Sequence, residues 1–183
     1  MSRQYWSETL AWATADGTII SATTTETIIF PNITIPANYM QDGRCLRLTA
    51  YGRNTFAVSN TLTFRVRWGG VAGTVLAASG AMVHAAVTAG IWRVEAILQT
   101  RSNGSSGTIM TIGSARINDD ATQTVGTAAL MGVEDFMGSA GVATPAAITV
   151  DLTADTALSL TATFGTAGSN SLTGHIFIVE GIN

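Results

Sequence analysis

Residues 61–68, Thr-Leu-Thr-Phe-Arg-Val-Arg-Trp, alternate without a break. Leu62, Phe64, Val66 and Trp68 fall on one side, and Thr61, Thr63, Arg65 and Arg67 on the other. Successive side chains of an extended chain point to opposite faces, so a strict period of two predicts a strand with one dry face and one wet face. Such a strand must lay its dry face on another apolar layer. Gly69 and Gly70 end it, and residues 73–77 read as the return strand of a hairpin. The pattern then repeats. In residues 91–101, Trp92, Val94, Ala96 and Leu98 alternate with Arg93, Glu95 and Gln99, and only Ile97 is out of phase. Ser102-Asn-Gly-Ser-Ser-Gly107 is a turn by composition, and residues 108–117 form its partner strand.

Further strands are expected at 18–30, 45–51, 146–152, 158–164 and 172–180. The run Ile-Phe-Ile-Val in the last of these predicts a strand covered on both faces. About nine strands separated by Gly/Ser/Asn turns predict an all-β fold, an antiparallel jelly-roll-like sandwich. An immunoglobulin-like Greek key is the competing topology, but the paired cysteines of the antibody type are missing. Residues 18–183 form one domain, and residues 1–17 read as an extended N-terminal arm. Residues 119–145 are too long for a bare loop, and helical spacing at 127–137 leaves room for a short helix.

Nine basic and twelve acidic residues make up 11% of the 183-residue chain, against roughly 25% in an ordinary domain. All nine basic residues are arginine, and the net charge is −3. A nucleic-acid partner is not expected, because no cluster of positive charge exists to neutralise phosphates. With 28 threonines and little charge, the surface is small and neutral, which is easier to understand if neighbouring subunits cover much of it. No signal peptide is expected in MSRQYWSETLAW, which predicts a protein made in the cytoplasm. The stretch from Trp68 to Trp92 holds 25 residues without an acid or an arginine, but its five glycines and its polar Thr74, Ser79, His84 and Thr88 argue against a membrane span.

No catalytic constellation is legible, so an enzyme is not expected. His84 and His175 are the only imidazoles, and neither stands in a nucleophile or phosphate-loop motif. His175 alternates with Phe177 and Val179 and is expected to pack with them. Cys45 reads as packing, since a lone cysteine has no internal disulfide partner. Asp119, Asp120, Glu134 and Asp135 could converge on calcium, but with no EF-hand loop the simpler reading is solvated loop charge. No cofactor or metal is expected. Trp68 and Trp92 lie on dry strand faces and are expected in the core. Tyr5, Trp6 and Trp12 precede the first expected strand, and three large aromatics must dock, with a neighbouring subunit favoured over their own domain. Arg65 and Arg67 could meet acids across a subunit boundary, or, more simply, pair across strands with Glu95.

The order of residues 61–76, residues 92–110 and the closing segment 169–180, Ser-Asn-Ser-Leu-Thr-Gly-His-Ile-Phe-Ile-Val-Glu, resembles a loose group of structural proteins of tailed bacteriophages. These are β-sandwich subunits that decorate capsids or form part of head fibres and tails. The resemblance covers roughly residues 45–183 and leaves out the arm. It implies a non-enzymatic capsid decoration or cement protein on the virion surface, a homotrimer whose partner is the major capsid protein. A tail or fibre subunit that binds receptor glycans and a carbohydrate-binding module are the alternatives.

Overall fold

The computed structural model describes residues 7–57, 60–118, 132–139 and 145–182, and no helix occurs among them. In chain order the strands are β1 (Ser7–Trp12), β2 (Ile20–Ser21), β3 (Thr27–Ile28), β4 (Ile33–Ile35), β5 (Cys45–Phe56), β6 (Asn60–Trp68) and β7 (Thr74–Ala78). They continue as β8 (Met82–His84), β9 (Val87–Ser102), β10 (Gly107–Ile117), β11 (Val133–Met137), β12 (Ile148–Val150), β13 (Thr156–Phe164) and β14 (Ser171–Ile182).

Two antiparallel sheets pack against each other. One has the order β1-β14-β5-β9-β10-β11, with β12 also on β10 and β2 also on β14. The other has the order β3-β13-β6-β7, with β4 also on β13 and β8 also on β6. With β10, β11 and β12 set aside, each sheet keeps four strand positions, and the first and last strands of the chain lie side by side. That is the wrapping of a jelly roll, extended on one sheet by the β10–β11 and β12 additions.

The alternation seen in the sequence decides which side chains meet between the sheets. β6 is buried at every second residue from Asn60 to Trp68, and β5 and β9 present Leu46, Leu48, Ala50, Trp92, Val94 and Leu98 to the same interior. Trp92 is fully buried, with its ring 5.2 Å from that of Phe64, and its indole N–H donates to the Thr173 carbonyl at 3.1 Å. Phe30 stacks on Phe177 at 4.7 Å. Both large rings need glycine opposite them. A Cβ on Gly52 would lie 2.6 Å from the Trp92 ring, and one on Gly174 would lie 2.2 Å from the Phe30 ring.

Four expectations need correction. Residues 18–30 are not one strand: β2 and β3 are two-residue pieces on different sheets, separated by Ala22 at φ +48° and by a threonine turn in which Thr25 N–H donates to Thr23 Oγ1 at 3.0 Å. The helix expected at 127–137 is absent at 133–137, which is strand β11 paired with Gly113–Ile117; residues 127–131 lie outside the described residues. β14 is covered on one face only. Its register shifts between Gly174 and Ile176, so Phe177 and Val179 point inward while Ile176 is exposed. Finally, part of the expected arm belongs to the sandwich, because β1 pairs with β14 from Ser7 to Trp12.

Candidate docking face on the eight-stranded sheet

The outer face of the larger sheet is built from the residues that alternate with the core. Following the ladders across the strands gives one row, Trp12, Ile178, Thr49, Glu95, Ser114 and Phe136, on β1, β14, β5, β9, β10 and β11. A second row beside it is Thr9, Glu180, Arg47, Ile97 and Ile112. A third, on the other side, is Ile176, Tyr51, Arg93, Arg116 and Glu134. Facing water here are Phe136, Trp12, Ile112, Ile176 and Ile97, with relative exposures of 74%, 62%, 50%, 49% and 45%. Isolated exposed apolar residues are ordinary, but Ile97, Ile112 and Phe136 are neighbours on adjoining strands and form a patch.

Between that patch and Ile178 lies a shallow depression of about 710 Å³, with Thr49, Ala96, Gly113 and Ser114 among its lining residues. Its floor is low where Thr49, Ala96, Gly113 and Ser114 carry small side chains, and Ile97, Ile112, Phe136 and Ile178 stand around it. Charge on this face is balanced within the chain. Arg47 lies 3.8 Å from Glu180, and Arg93 lies 3.8 Å from both Glu95 and Glu134. Tyr51 donates to Glu95 at 3.0 Å, and that hydrogen bond to a carboxylate pushes the phenol above its ordinary value of 10.0. These exposed pairs add little stability, about 0.2–1 kcal/mol each, but they leave the face without a strong field of either sign.

No family model, curated protein or solved structure matches this chain. The candidate residues therefore stand on geometry. Trp12 lies on the docking face at its β1 end, while Tyr5 and Trp6 lie outside the described residues. The β1 backbone lies on its own domain: Ala13 N–H donates to the Phe177 carbonyl at 2.9 Å, and Leu10 and Ala13 pack on the core, while the Trp12 ring faces water. Arg65 and Arg67 are on the opposite sheet, and within the chain their partner is Glu26, not the expected Glu95. Glu26 curls over β13 and receives the Arg67 guanidinium at 2.5 and 2.7 Å, with Arg65 at 3.3 Å. Glu95 is not available to them because it belongs to the other sheet. Burial pushes the Glu26 carboxyl up, but hydrogen bonds from Arg67 and Thr161 and the charges of both arginines together hold it below its ordinary value.

His175 is displaced from its expected packing by the β14 bulge, is half exposed, and lies 2.8 Å from Asp16. His84 is buried and stacked on Phe56 at 3.5 Å. Of the four acids considered for calcium, Asp119 and Asp120 lie outside the described residues; Glu134 is the ion-pair partner of Arg93, and Asp135 accepts the Gly80 N–H at 2.6 Å. Among the described residues no three His, Cys, Asp or Glu side chains converge. Cys45 starts β5 on the outer face and is half buried.

The docking face itself was absent from the sequence-level candidates. Its signal was nonetheless present: Ile97 is out of phase in its strand, and Ile112 repeats the violation directly across the ladder.

Proposed function

We propose that this chain is a structural component of a tailed-phage virion, a capsid decoration subunit held against the shell made by the major capsid protein. It acts by burying surface, and the outer face of its eight-stranded sheet is covered by a neighbouring subunit in the assembled particle. The observation that carries this reading is the patch of Ile97, Ile112 and Phe136 on a sheet face whose charges are already balanced. A chain with only 11% charged residues gains little solubility from charge, so a solvated apolar patch is better accounted for as an interface. The likeness of residues 61–76, 92–110 and 169–180 to phage structural proteins supports the kind of assembly. Decoration of this kind is a multivalent task, in which many modest contacts around a shell hold together because each raises the effective concentration of the next.

Quantitative mass spectrometry of purified particles from the source phage tests the assignment. The chain is expected at a copy number that is a fixed multiple of the shell symmetry. Its presence only in the unassembled lysate fraction would overturn the assignment.

A further inference from the structure

We propose that the neighbour covering this face is a second copy of the same chain, packed face to face about a two-fold axis. The inference rests on the reading of the outer face as an assembly surface, but not on the virion assignment. Three observations lead to it.

The first is shape. The face carries both a knob, Phe136, and a hole, the depression of about 710 Å³ lined by Thr49 and Ser114. A two-fold interface requires self-complementarity: if one residue meets another, the second must meet the first in the partner. An axis running along the strands between β9 and β10 provides this. It sets Phe136 of one copy above Thr49 of the other, and Ile97 against Ile112, each contact occurring twice. These positions follow from the rows, in which β5 and β11 are equidistant from that axis, as are β9 and β10. The same axis sets Arg93 of one copy over Arg116 of the other, and Glu95 and Glu134, each 3.8 Å from Arg93, offset that contact between like charges.

The second is charge. Arg47, Arg93, Glu95, Glu134 and Glu180 pair within the chain, so the face neither attracts nor repels a copy of itself strongly. A highly charged partner would find no complement here.

The third is area. β9 and β10 overlap their copies along about ten residues and β5 and β11 along about five, about 34 Å and about 17 Å on strands about 4.8 Å apart, on the order of 500 Å² in projection. Side-chain relief raises the accessible area toward the ~800 Å² per partner of a standard interface, enough for a reversible pair.

The test uses the full chain and size exclusion coupled to light scattering over a dilution series, with circular dichroism and melting temperature as the check on folding. The wild type is expected at twice the 19.0 kDa chain mass at high concentration and at the single-chain mass on dilution. Ile112→Lys is expected at the single-chain mass throughout, with an unchanged spectrum. Should Ile112→Lys fail to fold, Phe136→Ala removes a side chain that is 74% exposed and is expected to weaken pairing at least tenfold. Val83→Lys, exposed on the other sheet, is expected to pair as the wild type does. A wild-type mass of one chain at every concentration, a mass of three chains as the phage resemblance implies, or pairing unaffected by a folded Ile112→Lys or Phe136→Ala overturns the inference. The particle assignment is read separately, from the composition of the virion.

Discussion

Trp92 ties the two sheets together, and its surroundings show how single residues decide the fold. It fills the interior opposite Phe64, and Gly52 on the neighbouring strand leaves the space its ring occupies. Trp92→Ala is expected to cost about 3–5 kcal/mol in denaturant unfolding. Gly52→Ala is expected to cost about 1–3 kcal/mol, although it adds only a methyl group, because that carbon would meet both the Trp92 ring and the Thr173 carbonyl. A cost below 0.5 kcal/mol for either would mean that the sheets adjust more freely than this packing allows. On the opposite surface, Glu26 binds Arg67, Arg65 and Thr161 at once. Its folded value lies below the ordinary 4.5, so its contribution to stability is present above about pH 4.5 and is lost as the pH falls through the folded value. Glu26→Gln is expected to lower stability at pH 7 by about 2 kcal/mol and to flatten the stability profile in the acid range. Chemical denaturation at pH 7 and at pH 3 reads both effects, and parallel profiles for the two proteins would remove Glu26 as their source.

At the level of strands, alternation was legible wherever one face was dry and the other wet. β6 follows from it without exception, and β9, β10 and β13 follow because most of their core residues alternate with polar ones. Legibility failed where backbone geometry overrides the period. The bulge in β14 adds a residue between Gly174 and Ile176, which moves His175 to the surface and turns an apparent two-sided strand into a one-sided one. The threonines at 23–27 are good strand formers by type, yet the Thr23 hydroxyl accepts the Thr25 N–H and the Thr27 hydroxyl donates to the Thr25 carbonyl, which makes a turn. β1 was hidden for a different reason: as an edge strand with mostly exposed side chains, it carries little hydrophobic pattern. Its place beside β14 has a consequence for truncation. Removing residues 1–14 takes away the edge strand together with Leu10 and Ala13, and is expected to cost on the order of 2 kcal/mol, a drop of about 4–8 °C in melting temperature. An unchanged melting temperature would show that β1 adds nothing to the sandwich.

For the molecule as a whole, the sandwich supplies a platform, and the outer face of its larger sheet is the surface we propose for assembly. The platform was readable from the sequence because burial imposes a period. The proposed docking face was not, because its apolar residues break the period instead of following it; Ile97 and Ile112 are apolar at outward positions beside the polar Arg93, Glu95, Ser114 and Arg116. The same face explains why so little charge suffices, since surface that is covered in an assembly does not need charge to stay in solution. The most direct measurement is sedimentation of the chain with purified shells of the particle that the proposed function assigns it to, comparing wild type with Ile112→Lys at equal concentration. Wild type in the pellet and Ile112→Lys, folded, in the supernatant is the predicted result, because a pair holds the shell at two points and a split pair at one. Wild type left in the supernatant, or equal pelleting of the two, would contradict the assignment of this face to assembly.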